Sequence, residues 1–129
     1  MTLKNREEIG ILIRTFYKKV RKDPFIGPIF NNQISDWEFH LEKLTDFWYT
    51  NLHFVKAYKG NPGSIHVEVD EKYKNNITQE HFGKWLQLWF ETLHELCSGI
   101  LAEKAKIRAR NMSSVLFQKM LKSRQIKKS

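Results

Sequence analysis

The sequence is poor in cysteine, glycine and proline and contains no long apolar run. It has one cysteine, Cys97, in 129 residues, which excludes an internal disulfide, a Cys-rich zinc module and a CxxCH cofactor attachment. No segment approaches the roughly 18 apolar residues that a membrane span needs. The first ten residues, MTLKNREEIG, have no apolar segment after their charges, so a secretory signal is not expected. These absences predict a single cytoplasmic domain with no membrane partner.

Acidic residues are missing from the last part of the chain. The protein carries 22 Lys and Arg against 14 Asp and Glu, a formal net charge of +8. Nine of the basic residues follow Glu103 with no acid among them, which leaves 13 bases against 14 acids in the rest of the chain. The excess charge is thus separated from the aromatic residues that a nucleic-acid site would use. We expect a domain of residues 1–122, a basic, disordered tail of residues 123–129, and no nucleic-acid partner.

Helix signals dominate the chain, and no pair of strands is evident. Capping boxes at Asn5–Glu8 and Ser35–Glu38, and a capping residue at Thr78, indicate three helix starts. We expect residues 25–33 to be short and irregular, and residues 65–77 to form one helical turn and a loop. The sequence therefore predicts an all-α domain. Its main helices are expected over residues 5–21, 35–58, 78–97 and 100–122.

Three hydrogen-bonding side chains, Tyr17, His40 and Trp85, fall on predicted helix faces that are otherwise apolar. Taken singly, His40 fits a core histidine bonded to a carbonyl, and His66, after the GNPGS break, fits an exposed loop residue. Taken together, donors from three helices fit a pocket for a polar ligand. The nine Phe, four Trp and four Tyr suit a large apolar disc such as haem. No HExxH, cysteine-pair or GxSxG motif supports a zinc site or a hydrolase.

At this point a family resemblance becomes specific. The sequence resembles a truncated haemoglobin and is most similar to group III, over about residues 8–120 and in the family's order and spacing. The resemblance implies an all-α truncated-globin fold, a two-over-two helical sandwich around noncovalent haem b. The paired glycines of groups I and II near the first interhelical turn are missing, which fits group III. The likeness is carried by FYKKVRKDPFIGPIF (16–30), HLEKLTDFW (40–48), YKGNPGSIH (58–66) and ITQEHFGKW (77–85).

The resemblance also implies a role for individual residues. His66 matches the proximal iron ligand, while Tyr17 and Trp85 match hydrogen-bond donors to a bound ligand on the distal side. His40 matches the distal-helix histidine, which either gates the pocket or occupies the open position on the iron. The same match assigns positions in the haem pocket to Phe30, Leu44 and, beside a propionate, Lys43.

The resemblance implies a monomeric haem protein that binds O2, NO and CO at a pentacoordinate or weakly hexacoordinate iron. Such a protein would serve oxygen or NO chemistry and not bulk transport. One alternative is an enzyme, an NO dioxygenase or a peroxidase. It would need an unidentified external reductase, because no flavin or nicotinamide motif is present. A remoter alternative is a haem-free helical module whose basic last helix binds DNA or anionic lipid.

Overall fold

A computed structural model gives the fold of residues 1–54 and 77–128, with side chains described as far as residue 123. Every regular element in these ranges is an α-helix, so the predicted all-α class is confirmed. None of these helices is both long and apolar enough to cross a membrane. The expectations for residues 55–76 lie outside the described residues. The helices are α1 (Arg6–Lys22), α2 (Gly27–Gln33), α3 (Trp37–His53), α4 (Gln79–Leu96) and α5 (Ile100–Lys128).

Helix α1 begins with half of the predicted capping box. The Asn5 side chain accepts a hydrogen bond from the Glu8 backbone N–H at 2.9 Å, as an N-cap residue does. Glu8 does not return the bond to Asn5; its Oε1 instead accepts from the backbone N–H groups of Thr2 and Leu3, both at 3.1 Å. The first residues of the chain are therefore tied to the first turn of α1.

Several predicted helix limits were wrong. The N-cap of α3 is Asp36 and not Ser35, because the Asp36 carboxylate accepts from the Phe39 N–H at 3.0 Å. The same helix ends at His53, where Phe54 takes the left-handed conformation with φ 58°. Residues 27–33, expected to be irregular, form α2 with proline in its first turn, where the missing N–H costs nothing. Helix α5 continues past the expected end near Lys122, since no glycine or proline interrupts it.

The four long helices form two layers, as the two-over-two prediction requires. Helix α1 packs on α3 in one layer, and α4 packs on α5 in the other. Contacts between α1 and α4 and between α3 and α5 join the layers, while the short α2 packs against α1. Apolar burial between these faces is the main source of stability. The buried core side chains include Ile9, Leu12, Ile13, Phe16, Val20, Trp48, Leu52, Trp89, Leu93, Ala105 and Ala109.

Stacked aromatic rings, the aromatic column, run through this core. Trp48 stacks on Trp89 with ring centroids 4.6 Å apart, and Trp89 stacks on Trp85 at 5.9 Å. Phe16 meets the rings of Trp85 and Trp89 edge-on, at 5.3 and 4.9 Å. The Trp89 indole N–H donates to the Ala105 carbonyl at 3.1 Å, which satisfies the donor of this buried ring. The column thereby fixes the position of Trp85 relative to α1.

The corner between α1 and α2 depends on a glycine. A Cβ atom at Gly27 would lie 2.8 Å from the Arg21 carbonyl oxygen and 3.0 Å from that of Val20. These are backbone atoms, so the contact could not be relieved by a side-chain rotation. Gly27 therefore allows α2 to approach the end of α1 closely enough to place Phe30 beside Tyr17.

Candidate functional site

A cavity of about 200 Å³ lies between the two helix layers and is lined by all five helices. Most of its lining is aliphatic or aromatic. The described lining residues with hydrogen-bonding side chains are Tyr17, Gln33, His40, Trp48, His81, Trp85 and Ser113. Of the residues that the sequence predicted for the site, Tyr17, Phe30, His40, Leu44 and Trp85 line this cavity.

Tyr17 projects from the inner face of α1 and is only 4% exposed. Its ring lies edge-on to Phe16 at 4.7 Å and to Phe30 at 5.9 Å, so its orientation is fixed by packing. Burial raises the pKa of Tyr17 to about 12, and a hydrogen-bonding interaction with Trp85 partly opposes that rise. The hydroxyl is neutral at physiological pH, as that of an ordinary tyrosine also is, and it can donate a hydrogen bond into the cavity.

His40 lies in the first turn of α3 and is half-buried. Its ring is edge-on to that of Tyr17, with centroids 6.2 Å apart, and to that of Trp37 at 5.8 Å. The Arg21 guanidinium lies over the Trp37 ring, 4.5 Å from its centroid. His40 thus sits between the buried tyrosine and the protein surface, a position that suits either a gate or a donor.

The remaining predicted site residues differ in whether they line the cavity. Phe30 packs beside Tyr17 as described, and Leu44 lines the cavity one turn after His40. Lys43 is exposed, does not line the cavity, and holds its Nζ 5.0 Å from the centroid of the Phe39 ring. His66 lies outside the described residues.

His81 is a cavity residue to which the sequence assigned no role. Its Nδ1 accepts a hydrogen bond from the Thr78 N–H at 2.9 Å, and its ring stacks on Phe25 at 4.3 Å. Burial lowers the pKa of His81, so the ring favours the neutral form with its proton on Nε2. The helix start was readable from Thr78, but the position of the ring depends on a residue 56 places earlier in the chain.

A second depression, the basic groove, lies on the outer side of Tyr17. It measures about 580 Å³, and Tyr17 and Ile34 line both this groove and the cavity. The net charge of each sequence segment did not predict it, because acids balance the cations along the helices, and Glu38 and Glu42 pair directly with Arg14 at 2.6 and 3.0 Å. Its cationic lining residues are Arg14, Lys18, Arg21 and Lys22.

The histidine at the end of α3, His53, is also engaged. His53 Nε2 lies 2.8 Å from the Leu3 carbonyl oxygen, which joins the end of α3 to the start of the chain. Within the described ranges, no three His, Cys, Asp or Glu side chains group as ligands for a metal ion.

Taken together, these features define a two-layer helical protein with an apolar cavity lined by hydrogen-bonding side chains from three or more helices. The group III truncated haemoglobin ctb of Campylobacter jejuni is 33% identical over 122 residues, which cover 88% of this chain and 92% of that protein. The crystal structure of a group III truncated haemoglobin from Campylobacter jejuni aligns with a TM-score of 0.81 and 32% identity. That alignment covers 93% of this chain and 95% of the other. No protein-family model matches the chain.

The chain belongs to the group III truncated haemoglobin family. Family membership implies globin-type ligand binding at haem, and it confirms the resemblance stated from the sequence.

The described lining has the chemistry that a haem requires. Its apolar walls suit a porphyrin, and the Gln33 Nε2 atom is buried without a partner among the described residues, as a donor awaiting an oxygen acceptor would be. The interior is smaller than the roughly 300–1,000 Å³ typical of cofactor sites. We therefore expect its walls to separate on binding. Met112 and Met120, both in the lining, have the flexible side chains that such a change needs.

Proposed function

We propose that this protein binds haem b noncovalently and uses it to bind O2, NO and CO, with Tyr17 and Trp85 holding the ligand and His40 beside them. The observation that carries the proposal is the convergence of these three side chains, from three different helices, on one apolar cavity. A core made only of protein contacts would seldom collect so many polar groups.

Haem would supply the iron, and the side chains of the protein would stabilise the ligand bound to it. Haem, when bound, would supply an iron that takes a diatomic ligand and polarises it. The neutral Tyr17 hydroxyl is a donor held by packing and would stabilise negative charge on such a ligand. The Trp85 indole N–H, which interacts with Tyr17 in this structure, would turn to the ligand as a second donor. Donors of this kind chiefly slow ligand release, which suits sensing, detoxification or redox chemistry better than delivery.

The iron ligand on the other side is proposed to be His66. This assignment rests on the resemblance of the string YKGNPGSIH to the family and on the position of the histidine after the break. Its neutral imidazole would coordinate the iron and leave the Tyr17 side of the haem for diatomic ligands.

The test is an absorption titration of the purified protein with haemin, in the ferric, ferrous and CO-bound states. We expect stoichiometric uptake and a sharp Soret band near ~410 nm that shifts when CO is added. The variant His66→Ala should lose the proximal ligand and its characteristic spectrum, and added imidazole should restore a coordinated species.

His94→Ala is the matched control, because His94 is an exposed histidine on α4 and does not line the cavity. Failure of the wild-type protein to retain haem would refute the proposed function. Retention of the same CO-bound spectrum by His66→Ala would remove His66 from the proximal position but leave haem binding intact.

A further inference from the structure

The last residue of α2, Gln33, has a buried donor that finds no acceptor within the described part of the chain. Its Nε2 atom is shielded from solvent, and no hydrogen-bond partner for it exists among the described residues. Buried side-chain amides in folded proteins are nearly always hydrogen-bonded, because an unpaired donor loses its water without compensation. An orphaned amide in the wall of a binding cavity therefore points to an acceptor that comes with the ligand.

The placement of Gln33 puts this residue in the wall of the cavity. Residues three apart share a face of a helix, so Gln33 lies on the same side of α2 as Phe30. Both line the cavity, and Phe30 contacts Tyr17 with ring centroids 5.9 Å apart. The amide thus belongs to the wall formed by α2, on the same cavity as the proposed ligand donors. None of the predictions made from the sequence gave it a role.

We propose that the Gln33 side-chain amide donates a hydrogen bond to an oxygen acceptor carried by the occupant of the cavity. The inference rests on the proposed function. Haem and its ligands offer such oxygen acceptors in two places, the propionate carboxylates and the far atom of a bound diatomic molecule. Either acceptor would convert a destabilising buried donor into a contact that retains the cofactor or its ligand.

Gln33→Met tests the proposal because it keeps the length of the side chain and removes the donor. In the haem-free protein the donor has no partner, so we expect the variant to unfold at the same or a higher urea concentration than the wild type. In the haem-loaded protein, by contrast, we expect the substitution to weaken a contact with haem or with its ligand. Haem should pass to an excess of a haem-scavenging apoprotein about tenfold faster, or the C–O stretching frequency of the CO complex should change.

Two readouts distinguish the acceptors. If the amide binds a propionate, the difference in haem loss between variant and wild type disappears when haemin dimethyl ester replaces haemin. If it binds the diatomic ligand, haem loss is unchanged and the C–O stretching frequency shifts. Asn32→Ala is the control, since Asn32 is an exposed amide on the same helix and is absent from the cavity lining.

Two results would overturn the inference while leaving the proposed function standing. Equal destabilisation of the haem-free and haem-loaded forms by Gln33→Met would show that the amide is bonded within the chain. If Gln33→Met changes neither the rate of haem loss nor the C–O stretching frequency, the amide donates to neither acceptor. A wild-type protein that takes up no haem would overturn both proposals together, and the haemin titration of the wild type reveals that case on its own.

Discussion

At the scale of the residue, burial fixes the orientation of the Tyr17 hydroxyl and keeps it protonated further into alkali. The side chain is packed among Phe16, Phe30 and His40, which leaves it few alternative rotamers. The same lack of solvent raises the pKa to about 12, so the proton that a ligand would use is retained. A solvent-exposed tyrosine would also be protonated at physiological pH, but it would lack the fixed orientation.

Replacing Tyr17 by Phe should therefore accelerate O2 dissociation from the haem-loaded protein. One lost hydrogen bond of about 1–2 kcal/mol corresponds to a rate increase of about 5–30-fold. Stopped-flow displacement of O2 by CO measures the rate. Tyr49→Phe, on α3 beside His53 and away from the cavity lining, should leave it unchanged. An unchanged rate in Tyr17→Phe would remove Tyr17 from its proposed role.

The raised pKa of Tyr17 also predicts a loss of stability in alkali. In the unfolded state the phenol ionises with the ordinary tyrosine pKa of 10.0, whereas in the folded state it ionises only near 12. The stabilising contribution is therefore fully present below pH 10 and is lost as the pH rises from 10 to 12. At pH 11 the loss amounts to about 1.4 kcal/mol for a shift of that size. Urea unfolding at pH 9 and pH 11 should show the wild type losing more stability than Tyr17→Phe. Equal losses in the two proteins would contradict the expected pKa.

At the scale of the element, two glycines should respond to alanine in opposite directions. Gly27→Ala places a Cβ against carbonyl oxygens of α1 and should destabilise the fold by about 1–3 kcal/mol. Gly83 lies within α4, and no atom of the described residues is within 4 Å of an added Cβ, so Gly83→Ala should stabilise by about 0.5–1 kcal/mol. Chemical denaturation of both variants measures the difference. If both substitutions destabilised the protein, helix propensity would not determine the effect of Gly83→Ala on stability.

The sequence predicted the elements better than their ends. Helical periodicity identified the inner positions of Tyr17, His40 and Trp85 because each long helix buries one face. It did not identify the capping role of Asp36, because Ser35 offers an equally good cap chemistry one residue earlier. It also missed Gln33, whose position depends on how α2 packs against its neighbours and not on any local pattern.

At the scale of the whole molecule, the basic groove should attract anions towards Tyr17. Clefts lined by one sign of charge raise the local concentration and the association rate of oppositely charged ligands. Lys18→Glu in the haem-loaded ferric protein should slow azide association by about two- to tenfold at low ionic strength. The effect should shrink at 1 M salt, where the Debye length is about 3 Å.

Neutral CO, binding to the ferrous protein, should show no such dependence. Lys119→Glu makes the same change of charge at an exposed position on α5 outside the groove, and it should leave azide association close to that of the wild type. If azide association slowed equally in both lysine variants, the cause would be the net charge of the protein and not the groove.

The aromatic column also gives the protein a built-in optical probe. Trp48, Trp85 and Trp89 are stacked through the core, and Trp37 contacts His40, so all four indoles lie on or near the cavity wall. A porphyrin in the cavity would accept excitation energy from every one of them. Intrinsic fluorescence should therefore be nearly extinguished on haem uptake and return on haem loss. The same signal would then follow cofactor exchange in real time without any added label.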